Sequence, residues 1–365
     1  MERLILRRLA NQRLLGSNLP DAPAVVAWLG AVQAQEYAAA RWSLGQRTAA
    51  LTASDVDAVF NAGTILRTHV LRPTWHFVTP ADIGWMLTLT APRVQQVDAH
   101  AYRQFELDAS TRSRARTLIA RALKDGAALT RAELARALRR GGIVASGPRL
   151  GLIAIDAEVS KVMCSGPLRD RQFTYASWDT RVPRSKTMPR EEALAALTRR
   201  YFVSRGPATV KDFAWWSGLT IRDVKIGIEL LGKSIERERR GDVEYWSVET
   251  GTLGPHRGPL AHLLPTYDEY LIAYKDRDVI GSSRFAMRSQ FTNHLAIDGM
   301  VAGAWRAAAS HNGFAIEAQF RRRLTRGERD ALDRAIERYG SFLEAPVTLK
   351  EREAGERPPK DGLYK

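Results

Sequence analysis

Three times between residues 52 and 248 the chain caps a helix and then runs into β-rich segments. Thr52-Ala53-Ser54-Asp55 opens a helix, and residues 64–70 and 74–78, parted by Leu71-Arg72-Pro73, read as its hairpin. In the second pass Thr130-Arg131-Ala132-Glu133 caps a helix closed by Gly141-Gly142. Residues 148–163 give another helix, and the basic segment 168–175 a wing. The third begins at Pro189-Arg190-Glu191-Glu192, echoes the cap at Thr209-Val210-Lys211-Asp212, and starts a further helix at Thr220. It ends in 235–237 and 243–248, which flank Arg239-Arg240-Gly241-Asp242. Helices followed by such a hairpin describe a winged helix. Each unit alone has a thin core, so the three are expected to pack as one array.

Past residue 263 the character changes. Asp298-Gly299 and Asn312-Gly313 are hairpin signals between apolar runs. A strand over 314–320, a helix over 325–339 and a strand near 347–349 complete a meander able to curl into a small barrel. The predicted fold is α+β: three tandem winged-helix units followed by a small C-terminal β-barrel-like domain. The boundaries predicted are 1–110 for the first unit with its linking helices, 111–185 for the second, 186–255 for the third, 256–350 for the β-rich domain and 351–365 for a disordered tail.

Composition narrows the partner. A formal charge of +15, carried mostly by arginine, favours a polyanion, nucleic acid before others. Cys164 is the single cysteine, which excludes an internal disulfide and a cysteine-based metal site. The charged start Met1-Glu2-Arg3-Leu4-Ile5-Leu6-Arg7-Arg8 does not read as a signal peptide, and no 18-residue apolar stretch occurs. A cytoplasmic, nucleoid-associated protein is expected. The chain has no phosphate-binding glycine loop, so no cofactor is implied.

The most suggestive short stretch is Ala31-Val32-Gln33-Ala34-Gln35-Glu36-Tyr37, followed by Arg41-Trp42. It ends an apolar-periodic run through Val25, Val26, Trp28 and Leu29 that Asp21 could cap. Residues two apart lie roughly 200° apart around a helix, so Gln33 and Gln35 face one pocket only if the helix breaks near Gln33 or substrate inserts between them. A glutamine amide donates twice and accepts, yet cannot act as a general base near neutral pH. The residues alone leave two readings open, a site that orients water or charge and ordinary polar residues at a helix end. His69 and His76 lie on adjacent predicted strands without a carboxylate at zinc-like spacing, so structural or DNA-facing roles are expected. Asp268-Glu269 reads either as paired acid and base or as part of a turn joining domains. His256 and His262 read as surface or packing residues.

In order, Gln33-Ala34-Gln35, then Arg67, Arg72, Thr74 and His76, then Tyr267-Asp268-Glu269-Tyr270-Leu271 with Tyr274-Lys275-Asp276-Arg277, and late Gly303-Ala304-Trp305-Arg306, resemble the winged-helix DNA glycosylase superfamily that includes the azinomycin-resistance, crosslink-unhooking enzymes. The resemblance spans about residues 5–350. Its Gln-apolar-Gln motif marks the crosslink-unhooking branch, and Gln-apolar-Asp the branch acting on simpler alkylated bases. One departure is Pro73, where the family's wing has glycine.

What the resemblance implies is a monofunctional glycosylase that hydrolyses the N-glycosidic bond of N7-guanine-type alkylated bases and unhooks interstrand crosslinks in double-stranded DNA. Gln35 would place the water and Gln33 the sugar or the water's second hydrogen bond. Arg41, Arg67 and Arg72 are candidates for phosphates, Tyr37 and Trp42 for a channel wall, and His69 and His76 for DNA-facing positions; solvated charge and core packing are the bland alternatives. No metal, no membrane and a monomer are expected. The rival reading is a non-catalytic winged-helix DNA-binding protein, a transcription regulator or nucleoid protein.

Overall fold

Several helices start where a side chain satisfies their first free amides. In the computed structural model, which describes residues 2–16, 18–184, 186–251, 258–281 and 293–351, Thr52, Thr130, Thr209, Thr220 and Thr325 each accept from the N–H three residues on. The acid at that position reaches back to the threonine amide. Each such box is worth on the order of 1 kcal/mol.

The N-terminal part contains α1 (Glu2–Asn11), α2 (Ala22–Leu29), β1 (Val32–Gln33), α3 (Tyr37–Gly45), α4 (Ala53–Ala62), β2 (Leu66–His69) and β3 (Trp75–Val78). Its antiparallel sheet has the order β1-β3-β2. Pro73 lies in the β2–β3 connection, outside the ladder, so its missing N–H leaves no strand bond unmade. The linking region is a single helix, α5 (Pro80–Gln104), with Pro92 inside it.

Next come α6 (Ala109–Ala122), β4 (Ala128–Thr130), α7 (Arg131–Arg140), α8 (Gly147–Val159), β5 (Met163–Ser165), β6 (Thr174–Ser177) and α9 (Trp178–Arg181). The helix expected to reach residue 163 stops at Val159, since Met163 already pairs with Ser177. Most of the expected wing is loop, and its strand begins only at Thr174. The following stretch holds α10 (Arg190–Arg205), α11 (Val210–Ser217), α12 (Ile221–Leu231) and the hairpin of β7 (Glu236–Arg240) and β8 (Val243–Ser247).

The last region has β9 (Ala261–Leu264), α13 (Glu269–Ile272), β10 (Asn293–Ile297), β11 (Met300–Ser310), β12 (Gly313–Phe320), α14 (Arg326–Leu343) and β13 (Val347–Glu351). Asp298 (φ 50°) and Gly299 (φ 78°) turn the β10–β11 hairpin as expected. The next turn falls on His311-Asn312, one residue before the expected pair, because Ser310 already faces Gly313. The barrel-like expectation needs correction. The strand order is β13-β12-β11-β10-β9, and among the described residues the sheet is open. Leu332, Ile336, Tyr339 and Phe342 of α14 share one apolar cluster with Leu263, Leu295, Trp305 and Ile316, so a helix buries the face that closure would have enclosed. His256 and the tail beyond Glu351 lie outside the described residues.

One apolar cluster joins Leu66 and Val70, Ile83 and Leu87 of α5, Val159, Cys164, Leu197 and Trp216. The predicted units therefore share a core. No helix among the described residues is long and apolar enough to cross a membrane.

Candidate active site around the Gln33–Gln35 strand

Asp21 caps α2 through the Ala24 amide, and the helix ends at Leu29, where Gly30 takes φ 78°. Three residues before Gln33 the chain has left the helix. Val32 faces Phe77 and Gln33 faces His76 across the ladder, and the Ala34 N–H donates to the Trp75 carbonyl at 2.7 Å. Gln35 follows two residues on, in a bend between the strand and α3. The problem of two amides about 200° apart around a helix disappears.

The strand is held from both flanks. Glu269 Oε1 accepts the Gln33 N–H at 2.9 Å. Glu269 Oε2 accepts from Arg205 Nη2 at 2.6 Å, Arg205 Nε at 3.1 Å and Trp216 Nε1 at 2.8 Å. On the other flank Arg67 donates Nε to the Ala34 carbonyl at 2.9 Å and Nη2 to the Gln35 carbonyl at 3.4 Å. Its guanidinium lies over the rings of Trp75 and Phe173, and burial pushes its pKa down to about 10.

The two amides are placed differently. Gln33 is only 6% exposed, and its Oε1 accepts from Arg72 Nη2 at 2.8 Å. Arginine only donates, so the contact fixes which amide atom is oxygen and turns Nε2 away from Arg72. Gln35 is half-buried, and its Oε1 accepts a long bond from the Trp75 N–H at 3.4 Å. His76 stands opposite Gln33. Its Nδ1 lies 2.9 Å from the Thr74 carbonyl, which can only accept, so Nδ1 carries the proton and Nε2 a lone pair. Burial, then the charge of Arg72, holds its pKa well below the ordinary imidazole value, so the ring is neutral at pH 7. Among the described residues neither His76 Nε2 nor Thr74 Oγ1 has a partner. Buried polar atoms of that kind call for a water or a ligand.

The structure thus gathers Gln33, Gln35, Arg67, Arg72 and His76, and sets the other predicted residues apart. Arg41 Nη1 donates to Asp57 Oδ2 at 2.8 Å, and the Tyr37 hydroxyl donates to Asp57 Oδ1 at 2.8 Å. Trp42 is 3% exposed and donates Nε1 to the Leu263 carbonyl at 2.7 Å, so it is a core residue between α3 and the terminal sheet rather than an open channel wall. His69 points inward, its Nδ1 2.7 Å from Glu158 Oε2 and its ring against Trp75. Arg67 is likewise spent on backbone carbonyls and ring faces, which leaves it poorly placed for a phosphate. Among the described residues no group of three or more His, Cys, Asp or Glu could hold a metal ion.

Sequence reasoning missed the anchors. The Asp268-Glu269 pair, read as catalytic or as a turn, is a double ion pair in the interior. Asp268 meets Arg47 at 2.8 Å and Glu269 meets Arg205 at 2.6 Å, with all four side chains fully buried. Burial alone would raise the Asp268 pKa, yet the charge and hydrogen bonds of Arg47 bring it below the ordinary carboxylate value. The signal was present as Tyr-Asp-Glu-Tyr between apolar residues, but nothing in the spacing pointed to Arg47 or Arg205.

The arrangement can be set beside known proteins. An interstrand DNA cross-link repair glycosylase of Streptomyces sahachiroi is 26% identical over 330 residues, 82% of this chain and 85% of that protein. The solved structure of the Streptomyces sahachiroi DNA glycosylase AlkZ matches with a TM-score of 0.79 at 19% identity, covering 96% of this chain and 99% of that one, which shows a shared fold. The family described as DNA glycosylase AlkZ-like matches residues 26–342, most of the length, and the chain belongs to that family.

Proposed function

We infer that the protein is a monofunctional DNA glycosylase that releases N7-alkylated guanine from duplex DNA and unhooks interstrand crosslinks. The observation that supports this reading is the β1–β3 junction, where Gln33 accepts from Arg72 and Gln35 accepts from the Trp75 N–H, so both amides border the chain segment 72–75. Family membership and the cross-link repair relative support it. An N7-alkylguanine already carries a positive charge, so it departs as a neutral base without protonation by an acid. What remains is to stabilise an oxocarbenium-like sugar and present water to its far face. Water adds to C1′, the glycosidic bond breaks, and the surplus proton passes to solvent; the products are free base and an abasic site. Gln35, the more exposed amide, orients the water, while Gln33, fixed by Arg72, faces the sugar or the same water. No lysine Schiff base is required.

The three predicted winged-helix units and the β-rich region make up this enzyme, working as a monomer on the duplex. Arg41 and Arg72 are the phosphate candidates that keep solvent access.

The test is release of free base from a duplex carrying one 7-methylguanine and from a crosslinked duplex, side by side. Removal of one preorganised polar group costs about 10²–10³ in rate. Gln35→Ala is therefore expected to keep duplex affinity and lose base release by that factor, with abasic product and no strand scission from the wild type. Sequence-selective retardation without base release would establish the non-catalytic binder instead.

A further inference from the structure

We propose that Glu36 is the catalytic proton acceptor of the reaction, taking a proton from the water that Gln35 orients, a role that rests on the glycosylase reading. The amides leave that task open. A glutamine donates and accepts hydrogen bonds but does not take a proton near neutral pH. His76 keeps a lone pair on Nε2, yet burial and the Arg72 charge both disfavour its imidazolium.

Glu36 directly follows Gln35 in the chain. It occupies the N-cap position of α3, with φ −102° and ψ 101°, and its side chain bonds none of the helix amides. By contrast α2, α4 and α7 spend Asp21, Thr52 and Thr130 on theirs. The Glu36 side chain is half-buried and has no hydrogen-bond or ion-pair partner among the described residues. The other carboxylates around the strand are spent. Glu269 accepts from Gln33, Arg205 and Trp216, Glu158 from Thr68 and His69, and Asp57 from Tyr37 and Arg41. Beside a duplex a free carboxylate repels phosphate, a cost to binding that a role in the chemistry explains.

The Glu36 charge is felt on two sides. Burial, then Glu36, raises the phenol pKa of Tyr267, and Glu36 also acts on the guanidinium of Arg67. Arg67 Nη2 donates to the Gln35 carbonyl, which belongs to the peptide unit joining Gln35 to Glu36. One cation thus holds the backbone that carries both side chains. In the reaction the water oxygen bonds to C1′, the C1′–N9 bond breaks, and its electron pair neutralises the cationic purine. The surplus water proton goes to a Glu36 carboxylate oxygen and from there to solvent.

The experiment uses the full chain and a duplex with one 7-methylguanine, and reads single-turnover base release. Affinity is read on the same duplex with a 2′-fluoro sugar at the target, which blocks base loss. Glu36→Gln is expected to release base on the order of 10²-fold more slowly, the share of a general base. Its duplex affinity should be unchanged or tighter, and its urea midpoint should stay at the wild-type value. Glu36→Ala is expected to recover by roughly tenfold or more in sodium formate but not in sodium chloride of equal ionic strength, because a small carboxylate can fill the vacated space and take the proton. Base release by Glu36→Gln at the wild-type rate overturns the proposal. So does a fall in affinity or midpoint large enough to account for the slower rate, or an absence of formate rescue. A wild type that releases no base from this duplex or from a crosslinked one would instead sink the glycosylase reading, and this inference with it.

Discussion

Replacing Glu269 by glutamine tests whether the buried ion pair, rather than the helix before it, fixes the glutamine strand. Glu269 and Arg205 are both 0% exposed, and the carboxylate accepts from four N–H groups: Gln33, two on Arg205 and Trp216. A glutamine of the same shape offers one oxygen and one NH2. If its oxygen stays on Arg205 and Trp216, its NH2 meets the Gln33 N–H, two donors facing each other. If it flips, the NH2 meets Arg205. Either way at least one buried donor is orphaned, at about 1–3 kcal/mol each, and the Arg205 charge loses its counterion. Breaking a buried pair from one side costs about 3–5 kcal/mol, a large share of the ~5–15 kcal/mol of a typical fold. With a urea m-value of about 3 kcal/mol per molar, the Glu269→Gln midpoint, read by tryptophan fluorescence, should fall by roughly 1 M or more. Asp57→Asn breaks the half-exposed pair with Arg41 and should cost under about 1 kcal/mol. Below the transition, base release by Glu269→Gln should drop while affinity for undamaged duplex holds, because misplacing a reacting group by ~1 Å can cost 10²-fold. A midpoint shift no larger than that of Asp57→Asn, or full base release, would refute the reasoning.

Arg72→Met should lower the single-turnover rate of base release by about tenfold, since the Gln33 amide is then free to rotate; a loss confined to duplex affinity would make Arg72 a phosphate contact instead. Acid should weaken the fold through His262, whose Nε2 bonds the Leu14 carbonyl at 2.8 Å and whose pKa burial brings down to about 4. The unfolded chain binds that proton near pH 6.5 and the folded one does not, so stability present above pH 6.5 is lost between 6.5 and 4, by roughly 3 kcal/mol. Urea midpoints against pH for wild type and His262→Gln check this, and parallel curves would exclude His262 as the source. Duplex affinity should fall with salt at a log–log slope of about −0.9 per phosphate neutralised, and replacing Arg41, if it holds a phosphate, should flatten that slope by about one unit in a titration.

What the sequence made legible was whatever local chemistry decides. The threonine caps, the Asp21 start of α2 and the Asp298-Gly299 turn each satisfy their own backbone within a few residues. They were readable without knowing what they pack against. The glutamine motif was legible as a pair and not as a strand, because what turns Val32 and Gln33 into β structure is a partner more than forty residues on, Phe77 and His76. The same distance hid the roles of single residues. Arg67 looked like a phosphate contact until Trp75, Phe173 and two carbonyls enclosed it, and Trp42 looked like a wall until Leu263 claimed its N–H. The open terminal sheet follows the same logic, since closure or a helical cover is decided by α14 and not by the alternation of its strands. The charges most visible in the sequence did not disclose their own surroundings, because an arginine that reaches solvent and one buried against a carboxylate are written with the same letter. The anchoring of Gln33 by Glu269, Arg205 and Trp216 joins three segments in one cluster, and this makes the geometry of the site a property of the whole assembled chain rather than of the motif.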